Sequence, residues 1–182
     1  MKSCFMKLIL ALIILFWFCN IKASEFGIET GLKIPRYVSL KSNDANVRVG
    51  PSTNYPIKLK YIIKNYPLLI IDEHEDWRKV EDFQSNVGWV HKSLIKGQRN
   101  GIITNLNSIN VKVYNTVFGK VVGEIKPGNI VELKKCKINW CLIEINNKNG
   151  WIEKEYIWGV NNEELFKKGY HQKFIDLYYK SI

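Results

Sequence analysis

The sequence predicts an all-β protein made of two small β-barrels in tandem, followed by a C-terminal amphipathic helix. Three observations carry this reading. First, the chain repeats itself. Asn46-Val47-Arg48-Val49 recurs as Asn110-Val111-Lys112-Val113, Trp77-Arg78-Lys79-Val80 as Trp140-Cys141-Leu142-Ile143, Gly88-Trp89-Val90 as Gly150-Trp151-Ile152, and Gly97 as Gly159. The offsets are 64, 63, 62 and 62 residues, and landmarks in one order at near-constant spacing set the architecture. Second, each repeat breaks into short alternating apolar runs separated by turn signals, the pattern of an all-β module. Third, a repeat of about 60 residues is too small for two full sheets, so a closed barrel is the natural way to bury one face.

The elements follow in chain order. Residues 1–23 read as a secretory signal peptide: Lys2 and Lys7 precede twelve apolar residues, Leu8 to Cys19, and Ala23 is the expected last residue before cleavage. The apolar run is short for a membrane span, so no stable span is expected after cleavage; uncleaved anchoring is the competing reading. Residues 24–35 contain Gly27, Gly31 and Pro35 without apolar periodicity and read as a loose leader.

The first module spans 36–98. Val38 and Leu40 alternate with Ser39 and Lys41, and Val47 and Val49 with Asn46 and Arg48. Gly50-Pro51-Ser52-Thr53-Asn54-Tyr55-Pro56 is a turn-rich loop whose path Gly and Pro fix. Leu59, Tyr61 and Ile63 alternate again, and Pro67 opens the apolar run Leu68 to Ile71. Glu73-His74-Glu75-Asp76 reads as a solvated acidic turn, and Trp77 to Val80 and Val87 to Val90 as strands about the turn Gln84-Ser85-Asn86.

The second module, 99–160, keeps the order, with strands at Val111/Val113, Val121 to Gly123, Ile130 to Leu133, Trp140 to Ile145 and Gly150 to Ile152. Its first loop is different: Asn115-Thr116-Val117-Phe118-Gly119 replaces the Gly-Pro loop. Loops carry specificity, so the modules need not bind the same thing. In the tail, 161–182, Leu165, Phe166, Tyr170, Phe174, Leu177 and Tyr178 fall at helical spacing, and Asn161 with Glu164 resembles a capping box. Such a helix packs on the second module or docks a partner; its mixed polar face argues against a membrane surface.

Composition narrows the partners. Cleavage after Ala23 removes Lys2, Lys7 and Lys22 and takes the net charge from +10 to +7. A nucleic-acid reader gathers positive charge on one face and favours arginine. This chain spreads its charge and has four arginines against 23 lysines, so no nucleic-acid partner is expected. Cys136 and Cys141 survive cleavage, five apart between two expected strands. In an oxidising compartment they form a disulfide across a hairpin mouth or stay as two buried thiols; a metal site lacks further ligands.

No catalytic set assembles. His74 stands among Glu73, Glu75 and Asp76, which solvation explains better than a metal; His91 has no acid near it in sequence, and His171 lies on the tail. No serine sits in a nucleophile-elbow pattern and no glycine-rich phosphate loop follows a strand. The expectation is a protein that is not an enzyme and needs no cofactor. The aromatic content is a better lead. Trp77, Trp89, Trp140, Trp151 and Trp158 either fill the cores or line a shallow groove for an extended ligand. In the first module the groove candidates are Asn54 and Tyr55 from the first loop and Trp77 after the acidic turn.

Asn46-Val47-Arg48-Val49-Gly50-Pro51-Ser52-Thr53-Asn54-Tyr55-Pro56 resembles the opening strand and loop of the bacterial SH3-like (SH3b) domain. Trp77-Arg78-Lys79-Val80 and Gly88-Trp89-Val90-His91 match its tryptophan strand and its closing strand. Residues 36–98 carry the match, and 99–160 form a degenerate copy without the Gly-Pro loop. The pair, ending on Ile157-Trp158-Gly159-Val160, is similar to exported two-module proteins of this family in Gram-negative bacteria. The resemblance implies SH3-like barrels used as binding or targeting modules in envelope and cell-wall proteins, and no reaction. The expectation is therefore a periplasmic protein that recognises cell-wall peptide or an envelope protein, or else an accessory subunit that positions a partner enzyme. The sequence does not fix the oligomeric state.

Overall fold

Both repeats fold into the same strand order. The computed structural model describes residues 26–105, 107, 109–161 and 164–167; the expected signal peptide lies outside them. The first module runs β1 (Arg36–Leu40), β2 (Ala45–Arg48), β3 (Ile57–Tyr61), β4 (Pro67–His74), β5 (Trp77–Glu81), β6 (Val87–His91), one 3-10 turn (Lys92–Leu94) and β7 (Ile95–Lys96). The second runs β8 (Asn100–Ile103), β9 (Val111–Tyr114), β10 (Val121–Ile125), β11 (Ile130–Cys136), β12 (Trp140–Ile145), β13 (Lys148–Glu153), a matching 3-10 turn (Lys154–Tyr156) and β14 (Ile157–Trp158). The sheet orders are β3-β2-β6-β5-β4-β1-β7 and β10-β9-β13-β12-β11-β8-β14, position for position the same.

Period-two alternation decides what each sheet buries. Val38, Leu40, Val47, Leu68, Ile70, Val80, Val90 and Ile95 form one core drawn from six of the seven strands. Val111, Val131, Leu133, Ile143, Ile152 and Ile157 are among those forming the other. Each sheet therefore wraps its own interior. The expected closed barrel is not seen: among the described residues the paired path ends at β3 and β7, and at β10 and β14. β7 and β14 are two residues each, too short to carry a further ladder. The repeated glycine has a steric reason. A Cβ on Gly88 would stand 2.5 Å from Val47 Cγ1, and one on Gly150 2.2 Å from Val113 Cγ1, so β6 can cross β2 and β13 can cross β9 only without a side chain.

Four local expectations are corrected. β8 has no counterpart among the expected strands, because Asn100–Ile103 is buried at every position and shows no alternation. The leader is not loose. Phe26 bridges Lys33, Gly27 N–H donates to Leu32 O at 2.8 Å, and the resulting turn docks on Glu73. Glu73 itself is not a solvated turn residue: it lies within β4, 2 % exposed, while His74, Glu75 and Asp76 stay outside. Its carboxylate accepts from Thr30 N–H (2.9 Å), Glu29 N–H (3.2 Å), Thr30 Oγ1 (2.8 Å) and Arg36 Nη2 (2.7 Å), with the buried Arg78 Nε 3.5 Å away. The buried Arg78 guanidinium in turn donates to Glu75 O and Trp77 O, fixing the β4–β5 turn. The fourth concerns only the described start of the tail, since most of the expected helix lies outside the described residues. At its start the reciprocal capping bond forms, Asn161 N–H to Glu164 Oε2 at 3.2 Å, yet the chain leaves as a strand, β15 (Phe166–Lys167), paired with β11. Phe166 packs against the second core, and Arg99 claims the Glu164 carboxylate, which pulls the segment along the sheet.

Cys136 and Cys141 form a disulfide between directly opposed residues of β11 and β12, at the turn end of the hairpin. Both are buried in the second core. Because the closed loop is short, the gain sits at the low end of the usual range. Reduction should lower the unfolding free energy by about 2 kcal/mol in urea titrations; an unchanged midpoint would show the clamp to be energetically idle.

Burial pushes the Glu73 carboxyl up, but the Arg36 and Thr30 hydrogen bonds outweigh it, so its pKa lies below the ordinary value. With the folded pKa below the unfolded one, its stabilisation is complete above about pH 4–5 and is lost as pH falls through the folded value. Glu73→Ala leaves two arginines facing an empty site and should cost on the order of 3–5 kcal/mol. It should also flatten the acid limb of a pH series of thermal melts, and an acid limb as steep as wild type would refute this role.

Candidate aromatic sites on and between the modules

Strand register assembles an outer face on the first module. Arg48 opposes Trp89, Trp89 opposes Lys79, Trp77 opposes His91, and His74 opposes Trp77. Direct partners share a face, so a basic and aromatic row runs across β2, β6, β5 and β4. Ring contacts tie it together: Trp77 meets His91 edge-on at 5.4 Å, and His74 meets Trp89 edge-on at 6.4 Å. Lys92 Nζ holds Asp76 at 2.9 Å beside this row.

Asn54 and Tyr55 lie at the edge of that face. Both are exposed, Tyr55 at 47 %. The loop is compact, with Ser52 N–H on Gly50 O, Tyr55 N–H on Ser52 O, and Asn54 N–H on Ser52 Oγ. The Tyr55 ring lies over Gly50, where a Cβ would stand 2.7 Å from it. Arg48 Nη1 donates to Tyr55 O at 2.6 Å and so joins the loop to the row. Trp77 is different: it lies on the outer face but is only 8 % exposed, under His91. Tyr55 and Trp77 are thus held by different partners. The residues between them, Arg48 and Trp89, went unselected in the sequence, although counting by twos from Trp77 and across to the closing strand puts Trp89 on the same face.

The second module builds its own version. Trp140 takes edge-on contacts from Tyr114 at 5.3 Å and from Phe118 at 5.7 Å. Phe118, in the loop that lacks Gly-Pro, is 87 % exposed with φ of +62°, a conformation bulky residues rarely adopt. Lys137 Nζ lies 5.1 Å from the Trp151 ring centroid. Here the first loop and the tryptophan strand do meet through their rings.

A third feature lies at the seam of the modules. Asn100 Nδ2 donates to Ser39 Oγ at 2.9 Å, and Ser39 Oγ donates to Gln98 O at 2.7 Å, both inside the seam. Tyr37 meets Trp158 edge-on at 5.3 Å, and Arg99 packs over Tyr37 while pairing with Glu164. Burial raises the Glu164 carboxyl and the Arg99 contact more than reverses it, leaving the pKa below normal. Beside this seam opens a cleft of about 950 Å³, with Phe83 of the first module facing Tyr114, Tyr156 and Trp158 of the second. Phe83 is the one lining residue from the first module and the rest come from the second, a pairing that the repeat pattern does not show. Among the described residues no group of three His, Cys, Asp or Glu side chains is placed to hold a metal, and no helix is long and apolar enough to cross a membrane.

Two antiparallel sheets of one topology, each with an exposed aromatic face, define a tandem all-β protein of the SH3-like class. The bacterial SH3 domain family model matches residues 41–97 and 119–159, and the chain belongs to that family. The second match begins just after Phe118, where the loop departs from the first copy. No curated protein matches the chain. Solved structures similar to it include an NlpC/P60 family protein from Bacillus cereus (10 % identity, TM-score 0.30, covering 67 % of this chain and 55 % of that one). NlpC1 from Trichomonas vaginalis is similar at 12 % identity and TM-score 0.30, covering 76 % and 50 %, and NlpC2 from the same organism at 10 % and 0.30, covering 68 % and 48 %. The chain spans about half the length of these structures.

The two groove candidates should separate in a stability measurement. Trp77→Ala empties a buried site and should cost about 3–5 kcal/mol in urea unfolding, whereas Tyr55→Ala should stay within about 1 kcal/mol of wild type. Equal losses would mean that the Gly50 loop is part of the core.

Proposed function

We propose that this is a non-enzymatic periplasmic protein that binds cell-wall peptide or an envelope protein through its SH3-like modules. The observation that carries the reading is the outer row of the first module, where Arg48 donates to the backbone of exposed Tyr55 and stands opposite Trp89, Trp89 meets His74, and Trp77 meets His91. An extended ligand laid across such a row gains aromatic contact area and hydrogen bonds from flanking basic groups without a deep pocket. Family membership supports a binding role and says nothing of a reaction.

The accessory-subunit reading has its own support in Phe118 and the apolar edge strand beside it, with Val121 and Val122 exposed. An unpaired edge of this kind is a template for another chain.

Co-sedimentation with purified sacculi tests the first reading. Wild type should pellet with the wall, and a Tyr55→Ala, Trp89→Ala double variant that still unfolds cooperatively should be depleted from the pellet several-fold. Equal retention would remove the outer row as the site, and a wild type left in the supernatant would turn the case toward a protein partner.

A further inference from the structure

We propose that the cleft at the seam of the two modules is a binding site for a neutral oligosaccharide. This deepens the wall-binding reading and rests on it for the polymer that supplies the sugar strand; the site is distinct from the outer row.

The walls of the cleft are aromatic and fixed. Trp158 is held by edge contacts from Tyr37 at 5.3 Å and Phe83 at 6.2 Å, and Tyr114 by Trp140 at 5.3 Å. Phe83 is 43 % exposed on a turn that the buried Asp82 organises. The Asp82 carboxylate accepts Gln84 N–H and Asn86 N–H at 2.8 Å each, Asn86 Nδ2 at 3.0 Å and the Tyr61 hydroxyl at 2.7 Å. The rings therefore pay little ordering entropy when a ligand arrives. Rigid rings with apolar faces suit the C–H face of a pyranose, and about 950 Å³ admits several sugar units.

The polar lining selects the ligand class. Thr104, Asn107 and Asn110 bring neutral groups to the lining. Asn105 is spent on the loop, donating to Ile109 O and accepting Asn107 N–H. Asn110 Nδ2 donates to Glu124 at 3.1 Å, which leaves the Asn110 carbonyl oxygen as an acceptor for sugar hydroxyls. The charged lining is mixed, Lys112 against Glu153 and Glu155, so it sets up no one-signed field for a polyanion or polycation. The Tyr156 hydroxyl donates its one hydrogen to Glu155, which raises its pKa, so toward a ligand the phenol oxygen serves as an acceptor.

The test is titration of the full exported chain with chitotetraose, a neutral N-acetylated tetrasaccharide, followed by tryptophan fluorescence and backbone NMR shifts. Saturable binding is expected. Phe83→Ala and Asn110→Ala, both exposed positions outside the cores, should each weaken it about three- to tenfold, and the Tyr55→Ala, Trp89→Ala variant should leave it intact. No saturable response, or one indifferent to Phe83 and Asn110, overturns the proposal. So does binding of tetralysine in place of chitotetraose, which would assign the cleft to a cationic peptide. If wild type still pellets with sacculi while ignoring chitotetraose, the cleft inference fails and the wall-binding reading stands; if it does neither, both fall.

Discussion

The inward turn of alternate residues on each sheet is the constraint on which the rest of this molecule depends. A module of about 60 residues has one modest core, and it is filled by Val47, Ile70, Val80 and Val90 in the first copy and their counterparts in the second. Once those positions point inward, Arg48, Trp89, Lys79, Trp77 and His91 must point outward, because the side-chain period of a strand is two. The aromatic face is thus a geometric consequence of the core. The same logic fixes Gly88 and Gly150, since the strands that carry the outer tryptophans cross β2 and β9 too closely for any Cβ.

Much of this was legible in the chain. The repeat, the strand positions and the hairpin cysteines all follow from local pattern, and local pattern survives in both copies. What was not legible depends on partners far away in sequence. Glu73 reads as one more acid in Glu73-His74-Glu75-Asp76 because nothing nearby shows that Arg36, Arg78 and the Thr30 turn converge on it. A bulge between Ile70 and Asp72 shifts the register, and with it Glu73 turns inward opposite Arg78. β8 escaped for a local reason: Asn100-Gly101-Ile102-Ile103 does not alternate apolar and polar residues, whereas Val38 and Leu40 alternate with Ser39 and Lys41 at its counterpart β1, even though Ser39 is buried too. In the tail the helical spacing and the capping pair are both present, but the long-range Arg99–Glu164 pair and the Cys136–Phe166 register override them at its described start.

Among the proposed groove residues, burial separates what the sequence could only group. Tyr55 and Asn54 keep the exposure that a binding role demands, and Trp77 serves mainly as the floor under His91. In the second copy the loop that lost its Gly-Pro motif gained an exposed Phe118 against Trp140. Loss of the motif therefore does not mean loss of a surface; it changes which residues form it.

Duplication also creates something neither copy has. When two like modules meet through Ser39, Asn100 and Tyr37, the turn carrying Phe83 is brought against the 3-10 turn and last strand of the other. Val111 and Ile157 of the second core form part of its lining, whereas Phe83, Asn107 and Asn110 are exposed and can vary without disturbing either core. Under the two proposals, the outer row and the seam cleft would engage a polymer at two points, and two weak contacts on one strand bind far better than either alone. That arrangement gives a physical reason to keep a second module whose own loop no longer matches the first.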